Sequence, residues 1–325
     1  MKFLIVLAFV ALALAADEQI IAMVNSNPRS TWVAGVNPRM VDLTPEERRS
    51  LLGTKIDYLN LPKETRVANG LPDSFDVREK FPGCASYAIR DQGRCGSCWA
   101  FGAAEALSDR FCAAGHNVVL SPQYLVSCDK GNMACNGGYL DRVWRFLANT
   151  GVPVDSCMPY TSGSAGVVPA CPTKCQDGSE IQHYKAANGY DVSSSEQAIM
   201  TEIMERGSVE VGFYVYSDFF NYRSGIYQHL SGYLQGGHAV KMTGWGVENG
   251  VKYWTCVNSW GASWGENGTF RIRRGTNEAN IESMVTAGEV GTAPQTNPPA
   301  PDNKCEYICG FNSRGEVFCR MVCNW

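Results

Sequence analysis

The stretch QGRCGSCWAF, residues Gln92 to Phe101, holds two cysteines, Cys95 and Cys98, at C-x-x-C spacing. This spacing occurs in zinc sites, in thiol–disulfide oxidoreductases and in proteins where the two cysteines have separate roles. The run CWAFGAAEALSDRFCAAG has apolar residues at helical spacing, with a stop signal at Gly115. If Ser97 caps this helix, Cys98 lies in its first turn, where the helix dipole favours a thiolate.

The composition is that of an ordinary globular protein, with 45% hydrophobic residues, 18% charged residues and a net charge of −4. This mild charge indicates no nucleic-acid partner. The N-terminal MKFLIVLAFVALALAADE predicts a secretory signal peptide, residues 1–16, cleaved after Ala15 or Ala16. The alternative, a membrane anchor, is disfavoured because the apolar run is too short to span a bilayer. We therefore expect no membrane span and an extracellular or a lysosome- or vacuole-like location.

Secretion changes how the 14 cysteines are interpreted, because an oxidising compartment favours disulfides. A zinc site would need a second close pair of ligands, but Cys128 and Cys135 are seven positions apart and no His-x-x-x-His follows. We predict no metal and no cofactor.

The chain is organised in segments of different composition. Residues 17–70 are polar and lack cysteine, which predicts a pro-segment with a helix at Thr44–Leu52, capped by Thr44 and started by Pro45; a disordered linker is the alternative. Within residues 71–290, the sequence predicts helices in the first half and strands in the second half, which indicates an α+β fold with two lobes.

The C-terminal part differs from the rest. Residues 291–304 are rich in proline and predict an extended linker. Residues 305–325 carry the pattern C-x3-C-x9-C-x3-C, which fits two short helices around a turn at Ser313–Gly315, stapled by two disulfides; a β-hairpin is the alternative.

Four motifs in order make the chain resemble the papain-type cysteine proteases: CGSCW after Gln92, CNGGY from Cys135, GGHAV from Gly236 and NSWGASWGENG from Asn258. The stretch LPDSFDVREKFPGC and the run VYSDFFNYRSGIYQH resemble the cathepsin B branch, and TWVAGVNPRM resembles its short propeptide. The resemblance implies a papain-like fold with a helical lobe, a β-barrel-like lobe and a cleft between them.

The resemblance also implies roles for five residues. Cys98 is the nucleophile, His238 the base that forms the thiolate–imidazolium pair, and Asn258 the residue that orients the imidazole. Gln92 matches the side-chain donor to the oxyanion, and Trp260 the indole that shields the His–Asn contact. The other histidines, His116, His183 and His229, are interpreted as structural.

Substrate-binding positions follow in the same way. Gly137, Gly138 and Gly237 match positions whose backbone meets an extended substrate. Met284 lies where cathepsin B has a glutamate at the floor of the pocket for the second residue before the cleaved bond, so we expect apolar side chains to be preferred there. The alternative is that Glu282 supplies the charge.

The disulfide framework is likewise implied by the resemblance: Cys84–Cys112, Cys95–Cys135, Cys128–Cys171, Cys157–Cys175, and two bridges among Cys305, Cys309, Cys319 and Cys323. Cys98 must stay free to react, and Cys256 is expected to be a buried, inert thiol. The sequence Asn267-Gly268-Thr269 is a glycosylation sequon.

One departure from cathepsin B has a functional consequence. The stretch that would form the occluding loop, Pro159–Cys171, is short and has no histidine, so we expect an open cleft without efficient removal of C-terminal dipeptides. The resulting hypothesis is a monomeric cysteine endopeptidase made as a zymogen. Its expected partners are protein or peptide substrates, its own pro-segment and cystatin-type inhibitors. The competing hypotheses are an adhesion or binding protein that uses the C-terminal module, and a thiol oxidoreductase that uses Cys95 and Cys98.

Overall fold

The computed structural model describes residues 17–41, 43–57 and 59–294, together with the backbone of residues 305–311 and 317–323. The chain divides into two compact units, residues 1–293 and 294–325. The predicted signal peptide lies outside the described residues. Within the described ranges, no helix is long and apolar enough to cross a membrane.

The predicted pro-segment is folded, so the linker alternative is wrong. Its elements are a helix at residues 17–26 (α1), strand Trp32–Ala34 (β1), helices Pro38–Val41 (α2) and Pro45–Ser50 (α3), and strand Lys63–Glu64 (β2). Helix α3 starts as the sequence predicts, because Thr44 and Glu47 exchange side-chain-to-backbone hydrogen bonds in a capping box. It ends at Ser50, two residues before the predicted end.

The first half of the remaining chain is helical, with helices Val77–Lys80 (α4), Cys98–Ala113 (α5), Pro122–Cys128 (α6) and Leu140–Asn149 (α7). Helix α5 is buried at every position from Cys98 to Phe111. A helix that is apolar on most sides belongs in the interior, and its glycine and alanines allow close packing. Helix α5 is therefore the central element of this lobe.

The sheet is built mainly from the second half of the chain, and helix Glu196–Arg206 (α8) packs on it. Its strands are Phe75–Asp76 (β3), Tyr190–Val192 (β4), Val209–Tyr216 (β5), Tyr222–Tyr227 (β6), Leu234–Glu248 (β7), Val251–Val257 (β8), Thr269–Arg273 (β9) and Val285–Ala287 (β10). The strand order is β1-β6-β9-β8-β7-β5-β10-β4-β2, with β3 paired to β7. The sheet is open, and both outermost strands come from the pro-segment.

The interior has two hydrophobic clusters, one for each lobe. The helical cluster contains Cys98 and Met284, and the cluster of the strand lobe contains Trp260. Strand β7 borders both, since its Ala239 belongs to the first cluster and its Val240 to the second. The residues assigned to catalysis therefore lie where the two lobes meet.

Four disulfides hold the helical lobe and its loops. The bridges are Cys84–Cys112, Cys95–Cys135, Cys128–Cys171 and Cys157–Cys175, the pairs that the resemblance implies. Cys98 and Cys256 are free and buried. Because Cys95 is bridged to Cys135, it does not share a redox pair with Cys98, and the oxidoreductase hypothesis is wrong.

The C-terminal unit is a β-hairpin of strands Cys305–Phe311 (β11) and Val317–Cys323 (β12). The two predicted helices are therefore wrong. Residues four apart share a face of a strand as well as a face of a helix, so the cysteine spacing did not distinguish the two structures. The register places Cys305 opposite Cys323 and Cys309 opposite Cys319.

Candidate active site

Cys98 is the first residue of α5 and is fully buried. Backbone amides of Ala239, Gly53 and Trp99 donate hydrogen bonds to its sulfur, and the hydroxyl of Thr54 lies 3.2 Å from Sγ. Amide donors of this kind stabilise a thiolate. Two of these four groups, on Gly53 and Thr54, belong to the pro-segment.

Ser97 occupies the N-cap position of α5, but its side chain does not cap the helix. Its hydroxyl bonds instead to the hydroxyl of Tyr160, 2.7 Å away, and Tyr160 in turn donates to the carbonyl of Gln92. Ser97 therefore has the predicted N-cap position, but the prediction that its side chain caps the helix is wrong. This contact ties the start of the helix to the backbone of Gln92.

His238, on strand β7, is fully buried and is oriented by Asn258. The ring Nε2 lies 2.8 Å from Asn258 Oδ1, which also accepts from the backbone amide of Ser259. Because this oxygen can only accept, Nε2 carries the proton and Nδ1 has a free lone pair. Among the described residues Nδ1 has no hydrogen-bond partner, so it is the nitrogen able to take a proton.

The indole of Trp260 covers the histidine. Its ring centroid is 4.7 Å from that of His238, and Trp260 is itself fully buried. Exclusion of water strengthens the hydrogen bond between His238 and Asn258, because the local dielectric constant is low. Trp260 therefore lies over the His238 ring, which is where the resemblance predicts an indole.

Burial keeps both titrating groups neutral while the pro-segment is in place. It raises the pKa of the Cys98 thiol, against the hydrogen bond of Thr54 and the backbone amides, which lower it. It lowers the pKa of His238 to about 4, only partly offset by the bond to Asn258. A thiol and a neutral imidazole, rather than an ion pair, therefore describe the covered site.

Gln92 is fully buried, and both the nitrogen and the oxygen of its side-chain amide are hydrogen bonded. Nε2 donates to the carbonyl of Cys95 at 2.7 Å and to the carbonyl of Leu51 at 2.9 Å, while Oε1 accepts from Ser259 Oγ at 2.8 Å. A carbonyl of the pro-segment thus takes the donor that would serve an oxyanion. Ser259 was missed in the sequence, although it lies inside the NSWG motif.

The pro-segment crosses the cleft at Gly53–Lys55 by pairing with backbone. The amide of Lys55 donates to the carbonyl of Gly138 at 2.9 Å, and the amide of Gly138 donates to the carbonyl of Gly53 at 2.8 Å. The amide of Thr54 donates to the carbonyl of Gly237 at 3.0 Å. The contact of Thr54 with Gly138 is a parallel bridge.

The cleft glycines are required by these close approaches. A Cβ atom at Gly137 would lie 2.2 Å from the carbonyl oxygen of Gly53, and a Cβ atom at Gly237 would lie 2.3 Å from the carbonyl oxygen of Thr54. Neither separation is sterically possible. Gly137 also has a φ of 108°, which favours glycine.

Met284 is buried and lines a cavity of about 500 Å³ together with Ile56 of the pro-segment and Tyr214. Its sulfur fills the space beside the backbone of Gly212. Glu282 has a different role, because its carboxylate accepts hydrogen bonds from the indole of Trp254 and from nearby backbone amides. The alternative that Glu282 charges the pocket finds no support in this geometry.

The remaining histidines have structural partners. His183 lies 2.9 Å from the hydroxyl of Tyr124, and His229 bonds to the buried carboxylate of Asp218 and stacks on Tyr216. His116 packs edge-on against Phe111. Burial raises the pKa of Cys256 well above its ordinary value, as expected for an inert thiol. Asn267 is exposed in a left-handed turn before β9.

Comparison with known proteins agrees with this geometry. Residues 71–289 match the family model of the papain family cysteine proteases. The chain is 48% identical over 290 residues to "Cathepsin B-like CP3" of Giardia intestinalis, covering 86% of this chain and 96% of that protein. It is 44% identical over 270 residues to "Cathepsin B-like cysteine proteinase 3" of Caenorhabditis elegans, covering 75% of this chain and 73% of that one.

Solved structures show the same relationship. The structure of proCathepsin B S9 from Trypanosoma congolense superposes with a TM-score of 0.79 at 34% identity, covering 84% of this chain and 98% of that one. This similarity confirms the papain-like fold and extends over a zymogen with its pro-segment. The chain therefore belongs to the papain family of cysteine proteases, as a cathepsin B-like member.

Proposed function

We propose that this protease is an endopeptidase that acts through a Cys98 acyl-enzyme once the pro-segment has been removed. The observation that carries this proposal is the contact of Gln92 Nε2 with the carbonyl of Leu51, next to a sulfur that receives backbone amide donors. A substrate carbonyl in that position would accept a hydrogen bond from Gln92 Nε2 and would be open to attack by the Cys98 sulfur.

The chemistry follows from the groups around the sulfur. His238 Nδ1 takes the thiol proton, and the Cys98 thiolate attacks the peptide carbonyl. The negative oxygen of the tetrahedral intermediate accepts hydrogen bonds from Gln92 Nε2 and from the backbone N–H of Cys98. When the C–N bond breaks, the imidazolium gives its proton to the leaving amine. Water, deprotonated by His238, then hydrolyses the thioester and restores the thiol.

The second element of the proposal is preference for an apolar residue two positions before the cleaved bond. Support comes from the pro-segment, whose Ile56 packs into the cluster that contains Met284. Within the described residues that line this cavity, the acidic groups are Asp57, which leaves with the pro-segment, and Asp191. Lys63, 3.9 Å from Asp191, leaves with the pro-segment as well, so Asp191 is the acidic group of this lining that remains, and burial raises the pKa of its carboxyl above the ordinary value.

The third element is endopeptidase rather than dipeptide-releasing activity. The segment Pro159–Cys171 has no histidine that could hold a substrate carboxylate. Its residues make local turns, and the amide of Arg94 donates to the carbonyl of Gly163. A peptide with a free C-terminus two residues past the bond should be cleaved no faster than its amide. Selective release of dipeptides from the free acid would contradict this.

We further propose synthesis as a secreted or lysosome-like zymogen, with the pro-segment removed near Gly70–Leu71. The sequon at Asn267 is exposed and would be accessible to glycosylation on that route. N-terminal sequencing and glycopeptide mass spectrometry of the protein isolated from its own cells test both statements. A mature chain that begins with the signal peptide would contradict them.

The central test is labelling by an epoxide inhibitor of papain-type enzymes. The processed protein should be modified at Cys98, whereas a Cys98→Ala variant should remain unmodified and should not cleave peptides. Absence of label on the processed wild-type protein would reject catalysis and leave the binding-protein hypothesis.

A further inference from the structure

Arg39, on pro-segment helix α2, is bound by Asp91 through a two-pronged ion pair. Its Nε donates to Oδ2 and its Nη2 to Oδ1, each at 3.1 Å, and Nη2 also donates to the carbonyl of Gly93 at 3.1 Å. The arginine side chain is only 15% exposed, while that of Asp91 is 43% exposed. Such a fork, completed by a carbonyl, matches the planar guanidinium group and not the compact lysine ammonium.

Asp91 lies beside the catalytic groups. It directly precedes Gln92, the oxyanion donor, and it forms a β-bridge with Trp260, the indole over His238. Because Asp91 adjoins Gln92 in the chain and Trp260 through the β-bridge, we expect an arginine bound there to lie within a few residues of the scissile bond.

The path of the pro-segment shows on which side of the bond this position falls. Leu51 meets Gln92, Thr54 meets Cys98, and Ile56 reaches the cavity of Met284. Gln92 and that cavity are therefore on opposite sides of the nucleophile. A substrate with its apolar residue in the cavity must send the residues after the cleaved bond towards Gln92 and Asp91.

Asp91 loses its cation when the pro-segment leaves. Within the described part of the chain, its ion pair is made with Arg39 alone. The neighbouring Arg90 is committed to Asp155 at 2.7 Å and stays so after processing, whereas Arg94, whose side chain is exposed, loses its partner Glu47 (3.7 Å) together with the pro-segment. Processing thus uncovers a carboxylate and a carbonyl already spaced for a guanidinium.

We propose that Asp91 and the carbonyl of Gly93 form a guanidinium-binding subsite on the leaving-group side of the cleft. The substrates it selects are proteins with an arginine among the first three residues after the cleaved bond. This inference rests on the proposed endopeptidase function and adds a second determinant to the apolar pocket of Met284. In the zymogen, Arg39 occupies the subsite.

The test uses the processed enzyme and quenched fluorogenic peptides with phenylalanine two residues before the bond. Arginine is placed in turn at each of the three positions after it and is compared with citrulline, which has the same shape and no charge. The ratio of kcat/KM values should be about three- to tenfold in favour of arginine at one position, and should fall at high salt.

The matched variants change one charge each. Asp91→Asn keeps an oxygen for the amide of Gly93, which Asp91 Oδ1 binds at 2.7 Å, and should bring the arginine-to-citrulline ratio to about one. Asp177→Asn removes the same charge from an exposed turn and should keep the ratio. Each ratio is taken within one variant, so a general loss of activity does not affect it.

Three outcomes decide the inference. Equal cleavage of arginine and citrulline peptides at all three positions by the wild-type enzyme overturns the subsite and leaves the proposed function standing. A preference that survives in Asp91→Asn also overturns it. Failure to cleave any of the peptides overturns the proposed function, and the subsite with it.

Discussion

The hydroxyl of Thr54 lies 3.2 Å from the sulfur of Cys98, so a pro-segment side chain contacts the proposed nucleophile. Three residues earlier, the carbonyl of Leu51 accepts a hydrogen bond from Gln92 Nε2, the proposed oxyanion donor. The pro-segment therefore occupies the groups that make the site reactive and does not merely cover its entrance. These contacts should slow the reaction of the Cys98 thiol with alkylating reagents.

Alkylation of Cys98 should be at least about 100-fold slower in the zymogen than in the processed enzyme, because the thiol is buried and its pKa is raised. The rate is measured by mass spectrometry after exposure to iodoacetamide at neutral pH. Cys256, which is buried in the core of the strand lobe, serves as the internal control and should remain unmodified in both forms. Similar rates for Cys98 in the two forms would contradict this.

Acid should favour release of the pro-segment through His238. Its pKa is about 4 in the covered site and about 6.5 for a histidine in water. The open state therefore binds more protons between these values, and the covered state loses stability as the pH falls from about 6.5 to 4. Limited proteolysis of a Cys98→Ser zymogen should show faster loss of the pro-segment across this window.

The matched variant for this prediction is Cys98→Ser with His238→Asn, which has no imidazole to protonate. Its pro-segment should show a weaker dependence on pH between 6.5 and 4. An unchanged dependence would assign the acid response to the carboxylates of the pro-segment contacts, such as the pair of Glu47 with Arg94.

Changing Met284→Glu should reverse the preference two residues before the cleaved bond. The carboxylate would enter the cavity that Met284 now lines, and an arginine in the substrate could pair with it. We expect kcat/KM for Arg-Arg relative to Phe-Arg substrates to rise by about tenfold. Met284→Leu, which conserves volume, should leave the ratio near the wild-type value. A wild-type preference for Arg-Arg would contradict the apolar pocket.

Trp32 should be a main anchor of the pro-segment. Its ring packs against both Tyr222 and Tyr227, and its Nε1 donates to the carbonyl of Gln228. Trp32→Ala should cost about 3–5 kcal/mol of pro-segment docking and expose residues 17–70 to hydrogen exchange. The neighbouring Val33, which is 53% exposed, supplies the control: Val33→Ala should leave exchange nearly unchanged. Equal effects of the two substitutions would contradict the anchor.

The cysteines of the C-terminal hairpin should pair as Cys305–Cys323 and Cys309–Cys319. Residues directly opposite in an antiparallel pair have Cα atoms about 4.5–5.5 Å apart, which is within the range of disulfides. Mass spectrometry of the non-reduced tail should show these two bridges. The pairing Cys305–Cys309 with Cys319–Cys323 would contradict the register of the hairpin.

Local signals and motifs accounted for the parts of the structure that depend on nearby residues. The capping box at Thr44 was predictable because both partners lie within one helical turn. The residues proposed for catalysis could be assigned from the sequence because each lies in its own short motif. The four bridged cysteine pairs of the helical lobe were implied by the same resemblance.

Contacts between distant residues were not predictable in this way. Ser97 has the residue type and position of a cap, yet its hydroxyl bonds to Tyr160, because the tertiary fold offers a buried partner 63 positions away. The pair of Arg39 with Asp91 likewise joins two surface-type residues that no spacing rule connects. For the tail, the prediction of two helices was wrong and the alternative of a β-hairpin was right, because the cysteine spacing fits both periodicities.

Both ends of the large sheet are strands of the pro-segment, β1 beside β6 and β2 beside β4. Loss of residues 17–70 would therefore leave Tyr222–Tyr227 and Tyr190–Val192 as the outer strands, with main-chain donors and acceptors that no longer have a neighbour. Removal of the pro-segment would therefore expose two sheet edges at which another extended chain could add.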